Sequence, residues 1–212
     1  WTIINSPTNV QLWGINFIND MTGFIAGGTF EPNKSKTLGD GLILKTTNGG
    51  NSWSAMLSGY GNTMFCVTFP NQNTGYAGGA EGTILKTING GVTWSPLNSG
   101  SNMYFFGLSA IDQNSVTVCG ARVSGAGGTL LRTTNGGTSW NCCLNPPDTN
   151  TVYISVHYSS ANTGYAAGMG GKMVKTVNGG ANWTCLSSSA TLYDIESIFF
   201  FFFSGYGVTD NG

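Results

Sequence analysis

One short segment recurs four times along this chain of 212 residues, and it limits the folds that the chain can adopt. It reads TTNGGNSW at 46–53, TINGGVTW at 87–94, TTNGGTSW at 133–140 and TVNGGANW at 176–183. Asn-Gly is a strong hairpin signal, because both central residues of a type I′ turn need positive φ. We expect the flanking Thr and Ser hydroxyl groups to bond the backbone of the turn, and the tryptophan to seal one repeat against its neighbour. The segment therefore predicts a structural turn in each repeat, formed by Asn48, Gly49, Gly50 and Trp53; Asn89, Gly90, Gly91 and Trp94; Asn135, Gly136, Gly137 and Trp140; and Asn178, Gly179, Gly180 and Trp183.

The tryptophans recur at a period typical of propeller blades. Trp1, Trp53, Trp94, Trp140 and Trp183 are separated by 52, 41, 46 and 43 residues. Periods in the forties with strand-like content indicate blades of four strands. Three strand-like runs precede each motif, for example MFCVTF, TGYAGGA and GTILKT before the third of these tryptophans. We therefore predict an all-β fold, a β-propeller of four-stranded blades with about five blades represented, as part of a larger propeller.

The repeat also predicts where the units begin and end. We assign 1–212 to a single propeller domain or segment, with units at about 12–53, 64–94, 103–140, 152–183 and 192–212. Trp1 occupies the place of a motif tryptophan, so we expect it to close a preceding blade or the last one. Half-motifs at both ends favour a segment cut in mid-blade over a five-bladed ring lacking about one strand. The run Phe199–Phe203 fits the expected strand pattern poorly.

Composition excludes some classes of function. Charged residues make up 8% of the chain, against roughly 25% in an ordinary soluble domain. The formal net charge of −1 gives no basic field for a phosphate backbone, so we expect no nucleic-acid partner. The longest apolar run, Ile198–Phe203, is too short for a transmembrane helix, and we expect no membrane insertion. A neutral surface rich in Asn, Thr and Gly favours an extracellular or cell-surface location.

Nothing in the sequence indicates a cofactor or a metal. The five cysteines show no CxxC spacing and His157 is the only histidine, whereas a zinc site needs clustered thiolates and imidazoles. No phosphate loop or dinucleotide fingerprint occurs. We expect mostly free, half-buried thiols, with a vicinal Cys142–Cys143 bridge as the alternative.

The repeated segment resembles a known motif. T-x-N-G-G-x-[ST]-W is similar to the Asp-box of the BNR repeat, S-x-D-x-G-x-T-W, with asparagine where that family usually has aspartate. A whole unit, such as 73–94, resembles the repeat of photosystem II stability/assembly factor-type propellers, which also occurs in secreted bacterial surface proteins. The resemblance implies the fold. It leaves the function open, because the box is shared by sialidases, sortilin-type receptors, xyloglucanases and assembly factors.

A glycosidase needs two facing carboxylates. Asp194 and Glu196, two residues apart on one face of a predicted strand, are the remaining candidates, although two solvated acids in the propeller channel are the favoured explanation. The repeat places the other acids in turns, an insertion or a linker: Asp20, Glu31, Asp40, Glu81, Asp112, Asp148 and Asp210.

Other side chains also fit structural roles better than catalytic ones. Sialidases clamp a carboxylate with three arginines, but this chain has two, Arg122 and Arg132. Arg132 takes a repeat position that is lysine in the other units, where a long stem packs along the sheet. His157 lies on the polar side of a predicted first strand and has no nucleophile at a recognisable spacing. We therefore expect no enzymatic activity.

Loops that exceed the repeat indicate where a partner binds. Relative to the compact turn GGAEGTIL, the first unit carries a ten-residue insertion within Thr29–Asp40, and the third a shorter one, Ala121–Gly128. Such loops are not needed by the scaffold and commonly carry binding function. We predict a non-catalytic scaffold that binds a protein or glycan and assembles with other copies or domains; the alternatives are a carbohydrate-active propeller or a photosystem-type assembly factor. The predicted binding face comprises Glu31, Lys34, Lys36, Asp40, Tyr60, Tyr104 and Arg122.

Overall fold

The chain is seen in a computed structural model that describes residues 3–4, 6–30, 40–122, 127–144, 151–186, 192–194 and 208–209. It divides into two compact units, Trp1–Ser101 and Asn102–Gly212. Trp1, Glu196 and Phe199–Phe203, for which the sequence made predictions, lie outside the described residues.

The first unit contains two four-stranded antiparallel sheets, each ordered as the chain runs. The first sheet comprises β1 (Leu12–Phe17), β2 (Gly23–Gly27), β3 (Gly41–Thr46) and β4 (Ser54–Tyr60). The second comprises β5 (Met64–Thr68), β6 (Gly75–Gly79), β7 (Thr83–Thr87) and β8 (Ser95–Asn98).

The second unit repeats this plan. One sheet comprises β9 (Tyr104–Ala110), β10 (Val116–Ala121), β11 (Gly128–Thr133) and β12 (Asn141–Cys142). The next comprises β13 (Tyr153–Tyr158), β14 (Gly164–Gly168), β15 (Lys172–Thr176) and β16 (Thr184–Leu186). A two-stranded sheet follows, β17 (Leu192–Asp194) with β18 (Val208–Thr209).

These four sheets are the predicted four-stranded blades, which we number 1 to 4 in chain order. All-β structure is confirmed: the helical content of the described residues is one 3₁₀ turn, Met169–Gly171. Three of the second strands, β2, β6 and β14, are short and rich in Gly and Ala. Every residue of β6 is buried because both of its faces are covered. Within the described residues, no helix is long and apolar enough to cross a membrane.

Each Asn-Gly-Gly segment forms a loop held by its own side chains. In blade 1, the Thr46 hydroxyl donates to Asn48 Oδ1 (2.9 Å) and accepts the Gly50 N–H (3.0 Å). Asn48 Oδ1 also accepts the Ser52 N–H (3.0 Å), and Asn48 Nδ2 donates to the Ser52 hydroxyl (2.9 Å). The threonine, asparagine and second glycine make the same bonds in the other three blades. The predicted role is confirmed for the threonine hydroxyl, whereas the Ser52 hydroxyl bonds the Asn48 side chain and not the backbone.

The predicted type I′ geometry of the Asn-Gly pair is wrong. Seven residues join β3 to β4, and positive φ falls on Gly49 (69°) and Gly50 (87°) rather than on Asn48. The asparagine uses its side chain to bond the loop, so its backbone does not need the left-handed region. Positive φ at both central residues of a tight turn occurs instead at Glu81 (52°) and Gly82 (73°), where the Thr83 N–H donates to the Ala80 carbonyl (3.0 Å).

Adjacent blades in the first unit are joined by both apolar and polar contacts. Phe24 of blade 1 stacks on Phe69 of blade 2, with ring centroids 3.8 Å apart. Asn16 Oδ1 accepts the N–H of Phe69 (3.0 Å). Lys45 Nζ lies over the Phe24 ring and donates to the Gly90 carbonyl in the loop of blade 2 (2.7 Å). The third strand of one blade therefore holds the Asn-Gly-Gly loop of the next.

In the second unit, different residues make the equivalent junction. Thr117 takes the position of Phe24, and its hydroxyl bonds the Tyr158 hydroxyl (2.8 Å) where the other junction has two stacked rings. Ser109 Oγ accepts the Tyr158 N–H (3.2 Å), as Asn16 does for Phe69. Trp183 is buried in a core cluster that also contains Cys143 of the preceding blade, so the predicted sealing role of the tryptophan is seen in blade 4. Trp53 is half-buried and packs edge-on against Phe17 of its own blade.

Candidate functional site

The β2–β3 loop and the linker between blades 1 and 2 lie at the same strand ends, which we call the loop edge. Asp40 Oδ1 accepts the Thr29 N–H (2.8 Å), and the Thr63 hydroxyl donates to the Thr29 carbonyl (2.5 Å). Tyr60, the last residue of β4, pairs with Gly41, the residue after Asp40. The structure therefore brings Asp40 and Tyr60 to one edge, as predicted from the sequence.

An open groove of about 250 Å³ follows this edge within the first unit. Tyr60 lies at one side, and the β6–β7 turn with Glu81 at another. The end of β8 completes the lining with Leu97, Asn98 and Ser99. The Ser99 hydroxyl donates to the Gly82 carbonyl (2.7 Å), which fixes the wall of the groove. The groove therefore offers an aromatic ring, an aliphatic side chain and several polar groups in a small space.

Sequence reasoning did not find this groove. It placed Glu81 in a turn, which is correct, but it did not connect that turn with Tyr60, twenty-one positions earlier. The sequence marks this turn through Gly82, because glycine tolerates positive φ, but no local pattern links the turn to Tyr60.

In the second unit, Tyr104 and Arg122 are brought to one strand end. Tyr104 begins β9 and pairs with Ala121, the residue before Arg122. The Arg122 side chain is exposed, and Tyr104 is half-buried. The remaining predicted binding residues, Glu31, Lys34 and Lys36, lie outside the described residues.

The opposite strand ends carry the Asn-Gly-Gly loops, and we call them the Asn-Gly-Gly edge. The row of basic residues at the ends of the third strands lies here. Lys45, Lys86 and Lys175 each place Nζ 5.2–5.4 Å from the centre of an aromatic ring on the second strand of the same blade. Burial lowers the pKa of Lys86. The predicted packing of these stems along the sheet is confirmed.

Several acids have structural partners. Asp112 Oδ1 accepts the N–H groups of Asn114 (2.7 Å) and Ser115 (2.8 Å). Burial alone would raise the pKa of Asp112, but these bonds and one from the Ser115 side chain outweigh it and lower the pKa. In blade 1 the equivalent bonds go to Asn19, not to Asp20, which refines the predicted turn position. Asp194 lies on β17, as predicted, but its side chain and Glu196 are outside what the structure describes.

The cysteines and the histidine do not line the groove. All five cysteines are free thiols; Cys142 and Cys185 are exposed and the other three are buried, whereas we expected half-buried side chains. His157 is half-buried on β13, opposite Tyr165. Among the described residues, no group of three or more His, Cys, Asp or Glu side chains is arranged to hold a metal ion.

No protein-family model and no curated protein matches this chain. Solved structures do match. YCF48 bound to D1 peptide has a TM-score of 0.55 and 16% identity, covering 87% of this chain and 71% of that chain. YCF48 from Cyanidioschyzon merolae has a TM-score of 0.53 and 15% identity, covering 90% of each chain. An ancestral GH74 enzyme has a TM-score of 0.59 and 16% identity, covering 84% of this chain and 26% of that chain.

At these identities the likeness concerns the fold. Together with four sheets of four antiparallel strands in chain order, it shows that this chain is a partial β-propeller of four-stranded blades, similar in fold to YCF48 and to GH74 propeller enzymes.

Proposed function

We propose that this chain is a non-catalytic interaction module that binds a protein partner through its loop edge. The observation that carries the proposal is the groove at that edge, where Tyr60 meets Glu81 and the end of β8. Aromatic side chains beside small polar groups are typical of protein-binding surfaces, because a rigid ring gives contact area at little entropic cost.

The groove suits one segment of an extended peptide. Its volume of about 250 Å³ accommodates one or two side chains, and Leu97 with the Tyr60 ring supplies apolar contact. Asn98 and the Glu81 carboxylate offer polar contacts at the rim. A similar structure, YCF48, is seen bound to D1 peptide, which supports peptide binding by a propeller of this type.

The proposed module is of the BNR/Asp-box type and acts at the cell surface or outside the cell. The motif residues support the first part, and the neutral composition rich in Asn, Thr and Gly supports the second. Glycan binding at the same edge and assembly with further copies or domains belong to the same proposal. A photosystem-type assembly role is the related alternative, since YCF48 is among the similar structures.

Carbohydrate hydrolysis is the second candidate, because GH74 enzymes share the fold. In the described residues, the carboxylates of Asp40 and Asp112 are already bonded to backbone N–H groups. The pair that the sequence left as candidates, Asp194 and Glu196, would then have to supply the two carboxylates. Turnover of xyloglucan by the chain, abolished by Asp194→Asn or Glu196→Gln, would favour this candidate over the binding module.

The direct test selects peptides from a displayed random library on the intact chain and measures their affinity by fluorescence anisotropy. Tyr60→Ala is expected to weaken binding about tenfold, which corresponds to about 1.4 kcal/mol. Trimming Thr29–Asp40 to the length of the second unit's turn should also weaken it. Ile88→Ser is the control, because Ile88 is 74% exposed at the Asn-Gly-Gly edge. Equal affinity for all four proteins would refute a binding site at the loop edge.

A further inference from the structure

Arg132 differs from the three lysines at its repeat position. Each lysine lies over the ring of the residue paired with it on the second strand. The residue paired with Arg132 is Thr117, whose hydroxyl is already bonded to Tyr158. The residue paired with Arg132 therefore supplies no ring beneath the side chain.

The Arg132 side chain lies instead against the Asn-Gly-Gly loop of blade 4. A Cβ atom added to Gly180 would be 3.2 Å from Arg132 Cδ, and one added to Gly179 would be 3.5 Å from Nη2. Arg132 Nε is buried and has no hydrogen-bond partner. A guanidinium group carries five N–H donors, so this side chain keeps donor capacity that the protein does not use.

The surroundings of Arg132 supply no negative charge at neutral pH. Burial raises the pKa of Cys143 and of Tyr158 to about 12, so both neighbours stay protonated. Asp112, the acid whose side chain is described in the second unit, is bonded to the turn before β10. Within the described part of that unit, the cation therefore faces neutral groups.

A cavity of about 200 Å³ opens beside this arginine. It lies between the ends of β11 and β12 and the blade 4 loop, and Thr134, Asn141 and Cys142 contribute to its lining. The hydroxyl of Thr134 and the amide of Asn141 are both exposed donors. Cation, hydroxyl and amide together form a donor-rich site, and donors of this kind suit an oxyanion.

We propose that this cavity binds a carboxylate, held by the terminal nitrogens of Arg132 and by Thr134 and Asn141. A planar carboxylate matches the guanidinium fork, and the bond is charge-assisted on both sides. A peptide C-terminus and an acidic side chain both present such a carboxylate, and the experiments below distinguish these two sources. The site lies at the Asn-Gly-Gly edge of the second unit, and it shares no lining residue with the groove described above.

Cys142 provides the test, because it is an exposed free thiol in the cavity wall. Its rate of alkylation by iodoacetamide is measured by mass spectrometry on the whole chain, with exposed Cys185 on β16 as the internal reference. Acetate at about 50 mM, compared with chloride at the same ionic strength, should slow Cys142 roughly threefold or more and leave Cys185 unchanged. An equal Cys142 rate in acetate and chloride would overturn the proposal.

Two variants separate the fork from simple charge. Arg132→Lys introduces the residue that the other three blades have at this position; it keeps the positive charge but removes the guanidinium fork, so the protection of Cys142 by acetate should fall. Arg132→Gln removes the charge as well and should abolish the protection. Lys175→Gln, at the same position in blade 4, should leave protection intact. If Arg132→Gln does not fold, Arg132→Lys decides. Full protection in either arginine variant contradicts the assignment.

Peptide arms identify the source of the carboxylate. Acetyl-Gly-Gly-Ala is compared with its C-terminal amide, and acetyl-Ala-Glu-Ala-amide with its glutamine analogue. Protection by one acid and not by its amide assigns the C-terminal or the side-chain carboxylate, while equal effects of acids and amides refute carboxylate recognition. Tyr60→Ala should leave the protection of Cys142 unchanged. The Arg132 cavity and the loop-edge groove are therefore tested by separate measurements, and either proposal can be refuted without the other.

Discussion

The hydroxyl of the motif threonine is predicted to hold each Asn-Gly-Gly loop, and Thr87→Val tests it in blade 2. Thr87 is buried, at 1% exposure, and its hydroxyl makes three bonds. It donates to Asn89 Oδ1 (2.9 Å) and accepts the N–H groups of Gly91 (3.0 Å) and Asn89 (3.3 Å). Valine has the same shape, so the change removes the bonds without creating a cavity.

The expected loss follows from the groups that are left unpaired. The Gly91 N–H is buried in the loop, and a buried donor without a partner costs about 1–3 kcal/mol. The second donor, on Asn89, is partly exposed and recovers some hydration, so its loss adds about 0.5–1 kcal/mol. We expect Thr87→Val to lower the free energy of unfolding by about 1.5–4 kcal/mol.

Thr93→Val is the matched control in the same loop. The Thr93 hydroxyl accepts one bond from Asn89 Nδ2 (2.8 Å) but is exposed, so water replaces the lost partner and the cost should stay below about 1 kcal/mol. Urea unfolding followed by tryptophan fluorescence and far-UV circular dichroism measures both variants. The reasoning is refuted if Thr87→Val costs no more than Thr93→Val, or less than about 0.5 kcal/mol.

Three further predictions concern single residues. The lowered pKa of Asp112 adds stability that is present above its ordinary pKa of 3.8 and is lost as the pH falls through the lower folded-state pKa. Asp112→Asn, which copies Asn19 of blade 1, should remove this acid dependence and change the free energy of unfolding at pH 7 by less than about 1 kcal/mol. Urea unfolding at pH 2–7 measures both effects. Gly91→Ala should lower the stability measured by thermal unfolding more than Gly100→Ala does. Both glycines have positive φ, which costs a side chain about 1–2 kcal/mol. The new Cβ at position 91 would also meet a Phe24 ring carbon at 2.6 Å, whereas at position 100 nothing lies within 4 Å. The Cys143 thiol, with its pKa raised to about 12 by burial, should resist alkylation at pH 8 until the chain unfolds; labelling in the native state at the rate of an exposed cysteine would contradict this burial.

The binding residues could be predicted only in part. Loop length placed Asp40 at a strand end, because an insertion between the second and third strands must emerge there, and the nearby linker between blades placed Tyr60 at the same edge. The groove could not be predicted in this way, because its walls come from two different sheets and depend on how those sheets lie together. Likewise, the sequence showed that Arg132 replaces a lysine, but not that the ring opposite it is missing.

The sequence by itself determined the repeat, the strand order and the bonding of each loop. These depend on residues within a few positions of one another: Thr46, Asn48 and Gly50 are close enough to form their loop whatever surrounds them. Only the tertiary structure decided how the blades are joined. Thr117 and Tyr158 are 41 positions apart, and their hydroxyl bond takes the place of the Phe24–Phe69 stack only because two sheets pack face to face. Contacts of this kind depend on the geometry between sheets, which no local pattern of residues records.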